Sequence, residues 1–337
     1  MPSVLEFLII ALADSFSLNS EGLFQSTQEE DNRIIQEAYD SFQDQLLSDP
    51  SLRLLILRDV IYNRIYQAPY EQEAELSSSL RNEISEGTHS PLFAEIDRAN
   101  VGSGYAEEGW MVQGEMKGEL LPVQKEGLTL WVKPETDVIS HDFERDWVSI
   151  RLPKNLLDPG LYIAVGNAGP VTPQNTQDDI VRFHFNFPKP VSSAVMKFWT
   201  LSLNAQSLPF CLAMGYDYYS FERSDPAILS VKKEHRSVVL GLLKSFIEEY
   251  GGLMNPEIPV LTKFLALGIA YSEVPNPELF QESNFHLNHA QIIAAGFLEA
   301  WERRLELVPT VLAKFQELDI DLNHPYLNPQ SEDFNFY

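Results

Sequence analysis

Leu161-Tyr-Ile-Ala-Val165, stopped by Gly166-Asn-Ala-Gly-Pro170 and taken up again at Val181-Arg-Phe-His-Phe-Asn-Phe187, carries the most structural information in this chain. Short runs of β-branched and aromatic residues between clusters of Gly, Pro and Asn read as strands joined by turns. Working outward, the same texture extends from Trp110 to Val231. It shows in Leu128 to Val132, Trp147 to Leu152, Pro209 to Met214 and Ala227 to Val231, with Gly127, Pro153 and Asp158-Pro159-Gly160 as punctuation. Within this zone, Val191 to Leu203 carries apolar residues at helical spacing and reads as a helix crossing the sheet.

Beyond the strands on both sides the period changes. Ile34, Ile35, Ala38, Phe42, Leu46 and Leu47 fit one helix, and Leu54 to Ile65 a second, with Ser48-Asp49-Pro50 between them. Val4 to Ala13 reads as an amphipathic helix docked on the body of the protein. It contains Glu6, is too short to cross a bilayer and has no basic start of the signal-peptide kind. Gln67 to Ser90 is polar and acidic and reads as a mobile connection. Toward the C-terminus, His235 to Tyr250, Thr262 to Tyr271, Asn288 to Leu305 and Pro309 to Leu318 read as helices. Helices at both ends and strands between, without βαβ alternation, predict an α+β fold. It consists of a central, mainly antiparallel or mixed sheet flanked by N- and C-terminal helices, divided as a helical region 1–90 and an α+β domain 91–337.

Composition narrows the function. Lys and Arg number 24 against 49 Asp and Glu, a net charge of −25. That field repels phosphate backbones and anionic lipid, so neither nucleic acid nor a membrane is an expected partner; it suits attraction of basic peptides or, more simply, keeping the chain soluble and apart from its own copies. The single cysteine, Cys211, lies in an apolar run; it forms no internal disulfide and suits a reducing, cytoplasmic setting.

No phosphate-binding Gly loop, GxGxxG, GxSxG, HExxH or CxxC pattern occurs, and no cofactor is implied. His286 and His289, three apart, suit either two metal ligands with Glu282 nearby or two polar residues at a helix entry; no metal site is assigned. Gly166 to Gly169 suits a plain turn or an anion-binding nest. Arg223 and Asp225 suit a phosphate clamp with its orienting carboxylate or an ordinary ion pair.

A series of phrases runs through the strand-rich and C-terminal zones. Gly102-Ser-Gly-Tyr105 precedes Gly109-Trp110, Gly127-Leu-Thr-Leu130 and Ile150-Arg-Leu-Pro153. Gly160-Leu-Tyr162 then runs into Val165-Gly-Asn-Ala-Gly169, and Val181-Arg182 into Phe185-Asn186. Pro209-Phe210, Arg223-Ser-Asp225 with Ala227-Ile-Leu229, Phe264-Leu-Ala266 with Gly268, and Pro325-Tyr-Leu-Asn328 with Ser331-Glu-Asp333 complete it. In this order they resemble the HopA-type type III effector family, over about Asp97 to Tyr337. The resemblance implies either an effector acting through host-protein contacts or a lyase in peptide modification. In the second case a kinase partner phosphorylates Ser or Thr and the HopA-type protein eliminates the phosphate. Such an elimination needs a base for the α-proton, cations for the phosphate and an acid for the leaving group. By the resemblance, Arg182, Arg223 and Lys263 stand at family positions that hold the phosphate beside Asp225, with His289 as the catalytic group in place of a lost one. Arg182 equally suits a strand residue paired with a surface acid, and Lys263 a solvated helix residue. The chain departs from the family at two places: Ala213 stands where a lysine is usual, and His289 where an arginine is usual. These departures leave the alternative of a catalytically inactive member that binds a peptide or protein.

Overall fold

The computed structural model describes residues 3–19, 23–42, 49–66, 90–142, 146–158, 160–171, 179–217, 219–280 and 282–336. Of the connection read at 67–90, residues 67–89 lie outside them, and Ser90 caps the helix that follows. Helix α1 (Val4–Ala13) starts on Ser3, whose hydroxyl accepts the Glu6 N–H at 3.1 Å, and buries Leu5, Ile9 and Leu12 along one face. A small ribbon follows, β1 (Phe16–Leu18) with β2 (Phe24–Ser26), then α2 (Glu29–Phe42) and α3 (Pro50–Tyr66). The start of α3 is fixed by Pro50 at its first position and by Asp49, which accepts the Ser51 N–H at 2.9 Å. Helix α4 (Pro91–Ala99) uses the same device with Ser90 and Pro91.

Next come β3 (Tyr105–Val112), β4 (Leu121–Lys125), β5 (Leu128–Val132), the one-turn α5 (Pro134–Asp137), β6 (Val138–Asp142) and β7 (Trp147–Leu152). They form a five-stranded antiparallel sheet in the order β5-β4-β3-β7-β6, with a small core of Trp110, Val123, Val132, Val148 and Ile150. The larger sheet is built from β8 (Asn155–Asp158), β9 (Leu161–Val165), β10 (Ile180–Phe185), β11 (Cys211–Gly215), β12 (Ala227–Lys232), β13 (Lys263–Ala266) and β14 (Ile269–Glu273). Its seven strands are antiparallel in the order β13-β14-β10-β12-β11-β9-β8. Helices α6 (Ser192–Ala205), α7 (Arg236–Tyr250), α8 (Phe285–Arg303) and α9 (Leu307–Glu317) complete the chain. The fold is α+β.

β10 runs through the middle of the large sheet and organises both its faces. Side chains alternate along a strand. Phe183 and Phe185 therefore share one face, where Phe185 meets Trp199 of α6 and Phe246 of α7 at centroid distances of 5.3 and 5.5 Å. Arg182 and His184 occupy the other, toward α3 and α8. One continuous apolar core joins α1, α2, α3, the large sheet, α8 and α9.

One sequence reading is corrected. Thr262 to Tyr271 is not a helix but the β13–β14 hairpin. Its apolar run satisfies either period, and β14 is buried along its whole length, so the alternation that marks a half-buried strand is missing. Gly268 makes the turn at φ +65°; a Cβ there would lie 2.2 Å from the Asn255 carbonyl oxygen, so only glycine fits.

Candidate functional site

The polar face of the large sheet carries a cluster of ionisable groups drawn from four parts of the chain. Asp225, fully buried ahead of β12, is its centre. Its Oδ2 accepts from the Tyr66 hydroxyl at 2.6 Å and faces His184 Nδ1 at 2.9 Å, while its Oδ1 accepts from Arg223 at 3.3 Å. Arg223 also donates to the Tyr66 oxygen, and its guanidinium lies 4.6 Å from the centre of the Tyr66 ring. On the far side, His184 Nε2 faces the buried Ser272 hydroxyl at 2.9 Å. Tyr66 in turn stacks on His286, centroids 4.1 Å apart and planes 23° apart.

Electrostatics fix the protonation of this group. Burial pushes the Asp225 carboxyl up, but the hydrogen bond from His184 and the charge of Arg223 outweigh it and hold the carboxyl below its ordinary range. Asp225 is thus a carboxylate, and His184 Nδ1 must be the donor toward it. Burial together with Asp225 drives the Tyr66 phenol well above its usual value, so it remains a neutral hydroxyl. Burial works against the Arg223 charge, yet Tyr66 and Asp225 outweigh it and its pKa stands above the ordinary arginine value. Burial also lowers His286, helped by His184, and keeps it neutral; its Nε2 meets the Val260 carbonyl at 3.0 Å.

Strand register places other residues relative to this cluster. Directly opposed residues of an antiparallel sheet share a face. His184 is opposed by Ile228, and Ile228 by Ala213; Arg182 is opposed by Ser230, and Ser230 by Cys211. Ala213 thus stands on the same face as Arg182 and His184. Among the described residues Arg182 makes a long contact, Nη1 to the Ser283 carbonyl at 3.5 Å, and burial lowers its pKa. A cleft of about 300 Å³ opens over Arg223 and Tyr66, with Asn186 and Asn255 in its wall and the exposed Glu222 and Glu257 at its rim.

The sequence singled out five site residues, and the structure brings three of them, Arg182, Arg223 and Asp225, onto this face. Lys263 is opposed by Tyr271, itself opposed by Phe183, so it belongs to the opposite face. There it pairs with Asp333 at 2.8 Å and lies over the rings of Tyr326 and Phe334 at 5.1 and 5.0 Å. His289 is buried among Phe285, Phe315 and Pro325. Its Nδ1 faces the Phe285 carbonyl at 2.8 Å and its Nε2 the Pro325 carbonyl at 2.9 Å, and burial lowers its pKa. Neither nitrogen of His289 faces the cleft. Among the described residues no group of three His, Cys, Asp or Glu side chains is placed to hold a metal. Gly166 to Gly169 is a turn closed by the Gly169 N–H on the Gly166 carbonyl at 2.9 Å, with the Asn167 N–H spent on Asn204.

Sequence reasoning missed His184, Tyr66 and Ser272. His184 had a signal, since a second polar residue two places after Arg182 in an apolar strand shares its face. Tyr66 had none; it is one more large residue at the end of an apolar helix.

Residues 152–327, more than half of the chain, match the model of the HopA1 effector protein family. The chain belongs to that family. Every residue of the cluster except Tyr66 falls inside the matched segment. By structure, the chain is similar to an effector protein from Pseudomonas syringae pv. tomato strain DC3000, at 12% identity and a TM-score of 0.47, with 90% of this chain and 100% of that one covered. It is also similar to an effector from P. syringae pv. syringae strain 61, at 10% identity and a TM-score of 0.44, with 90% and 99% covered. No curated protein matches it by sequence. No helix among the described residues is long and apolar enough to cross a membrane.

Proposed function

We propose that this chain is a protein- or peptide-binding member of the HopA1 family in which the phosphate-eliminating chemistry has lapsed, and that the cleft over Arg223 takes a basic segment of its partner. The observation that carries this reading is the state of Arg223. Its charge is met by Asp225 and Tyr66 behind a rim of exposed Glu222 and Glu257. A phosphate entering there meets carboxylates first, whereas a lysine or arginine side chain meets complementary charge. The base needed to take the α-proton is also missing, because position 213 on this face is alanine. Loss of a general base costs about 10²–10⁴ in rate.

A second reading, an active phosphoserine or phosphothreonine lyase working behind a kinase, is favoured by the shared face of Arg182, His184, Arg223 and position 213. One experiment separates the two. Incubation with phosphoserine and phosphothreonine peptides, followed by mass spectrometry, should show no loss of phosphoric acid. Lysine-rich peptides should bind by fluorescence anisotropy and weaken several-fold with Glu222→Gln plus Glu257→Gln. Turnover by the unaltered chain would instead establish the lyase. Turnover only after Ala213→Lys would show that the missing base alone separates this member from catalysis.

A further inference from the structure

The two larger sheets have four end strands, and an open edge is a template for pairing unless charge, proline or a bulge blunts it. β13 carries Lys263 and a register shift between Phe264 and Ala266. β8 ends in Asp158. β6 ends in Asp142 and shifts register between Val138 and Ser140. β5, Leu128-Thr-Leu-Trp-Val132, has none of these guards. It contains no charge and no proline, and it keeps unbroken register with β4 from Leu128 opposite Lys125 to Val132 opposite Leu121.

The outward side of β5 follows from its turn. Glu126 and Gly127 have φ of 49° and 83°, the geometry of a two-residue hairpin of the I′ kind. Lys125 and Leu128 are then a hydrogen-bonded pair, so Leu128, Leu130 and Val132 spend their backbone groups on β4. Thr129 and Trp131 turn theirs away from the sheet, and no strand among the described residues pairs there. Leu128 is 57% exposed and Trp131 45%, in a strand whose composition is that of an interior one.

We propose that β5 pairs antiparallel with β5 of a second copy of this chain, across a twofold axis at Leu130. Thr129 then opposes Trp131 of the second copy, each giving and taking a backbone hydrogen bond, and the parity of the outward groups is the one this register requires. Leu128 opposes Val132 of the second copy on the inner face and extends the small core around Trp110. Charge supports a copy over another occupant. Glu126 and Lys133, both exposed, flank the strand with opposite signs, and reversal sets Glu126 of one copy beside Lys133 of the other. Elsewhere the net charge of −25 on each chain opposes association, so a neutral strand with complementary flanks is the place where two copies can meet. The contact is small, so the dimer is concentration-dependent and not permanent.

Sedimentation velocity of the full chain across about a hundredfold range of concentration tests this. The weight-average mass should rise toward twice the monomer. Thr129→Pro, which removes an outward N–H while sparing the hairpin bonds, and Trp131→Lys should each weaken association at least tenfold with an unchanged circular-dichroism spectrum. A chain that stays monomeric throughout would overturn the proposal. So would a dimer that both variants retain, or an edge that takes up an extended peptide while the chain remains single. Trp131→Lys alone decides if the proline variant fails to fold, because it alters a half-exposed side chain whose ring contact is with the exposed Lys117.

Discussion

On one face of the seven-stranded sheet, Phe183 and Phe185 meet Trp199, Phe246 and Tyr271. On the other, Arg182 and His184 meet Asp225, Ser272, Tyr66 and, through Tyr66, His286. Both layers are buried and both hold helices to the sheet, but the first does so by area and packing, which are indifferent to pH. The second depends on each polar group finding its partner, and an unpaired buried charge is costly. The difference teaches where function can sit. The second face gathers the buried Asp225 and His184 with Arg223 beside a cleft, whereas around Phe185 the first is aromatic packing.

The sharpest test of that contrast is to remove the centre of each layer. Phe185→Ala should cost about 3–5 kcal/mol by leaving a cavity, and by the same amount across pH. Asp225→Ala should also cost about 3–5 kcal/mol, because Arg223 and the His184 Nδ1–H lose their acceptor. Its penalty should not be uniform. The carboxyl is held below its ordinary range, so its contribution is complete above the unfolded carboxylate pKa of about 3.9 and fades as pH falls through its own lower value. Urea titrations of the two variants at neutral and strongly acid pH check this. Equal pH profiles would break the distinction between the faces.

A smaller effect lies in the buried histidines. His286 titrates well below its usual range and His289 below it, both through burial. Unfolding lets each take up a proton at about pH 6.5, which the folded protein refuses. Stability is therefore complete above about pH 6.5 and falls as pH drops from there toward the folded values, by up to about 1.4 kcal/mol per pH unit for each histidine. Melting temperature measured from pH 7 to 5 should decline, and His286→Phe, which keeps the stack on Tyr66, should flatten the slope. An unchanged slope would mean that His286 accepts a proton in place.

How much of this was legible in the sequence depends on range. Strands with turn residues beside them, such as Leu161–Val165 before Gly166, could be read, and so could helices with start signals, such as Pro50–Tyr66. The β13–β14 hairpin could not, because full burial erased its alternation. Arg223 and Asp225 are two residues apart and announce each other. Asp225 and Tyr66 are brought together by packing α3 against α8, and nothing in the spacing of 159 residues records that. Lys263 shows the converse limit: read on a helix, it lies in β13, where one residue of register decides its face.

The smallest change asks what Tyr66 does on the polar face. Its hydroxyl bridges Arg223 and Asp225, while its ring carries the stack on His286, so Tyr66→Phe removes the bridge and keeps the packing. The stability loss should be about 1 kcal/mol, the net worth of a buried hydrogen bond. The informative reading is the response to anions. With the phenol in place, Nη2 of Arg223 is spent on Tyr66 and Asp225; without it, one side of that nitrogen is open. Inorganic phosphate or a phosphoserine peptide should then raise the melting temperature of the variant but not of the unaltered protein. If both respond alike, Tyr66 does not occupy the anion position and the arginine is already available, which returns weight to a phosphate-binding face. If neither responds, Glu222 and Glu257 govern entry, and the cleft is a site for cations with or without the tyrosine.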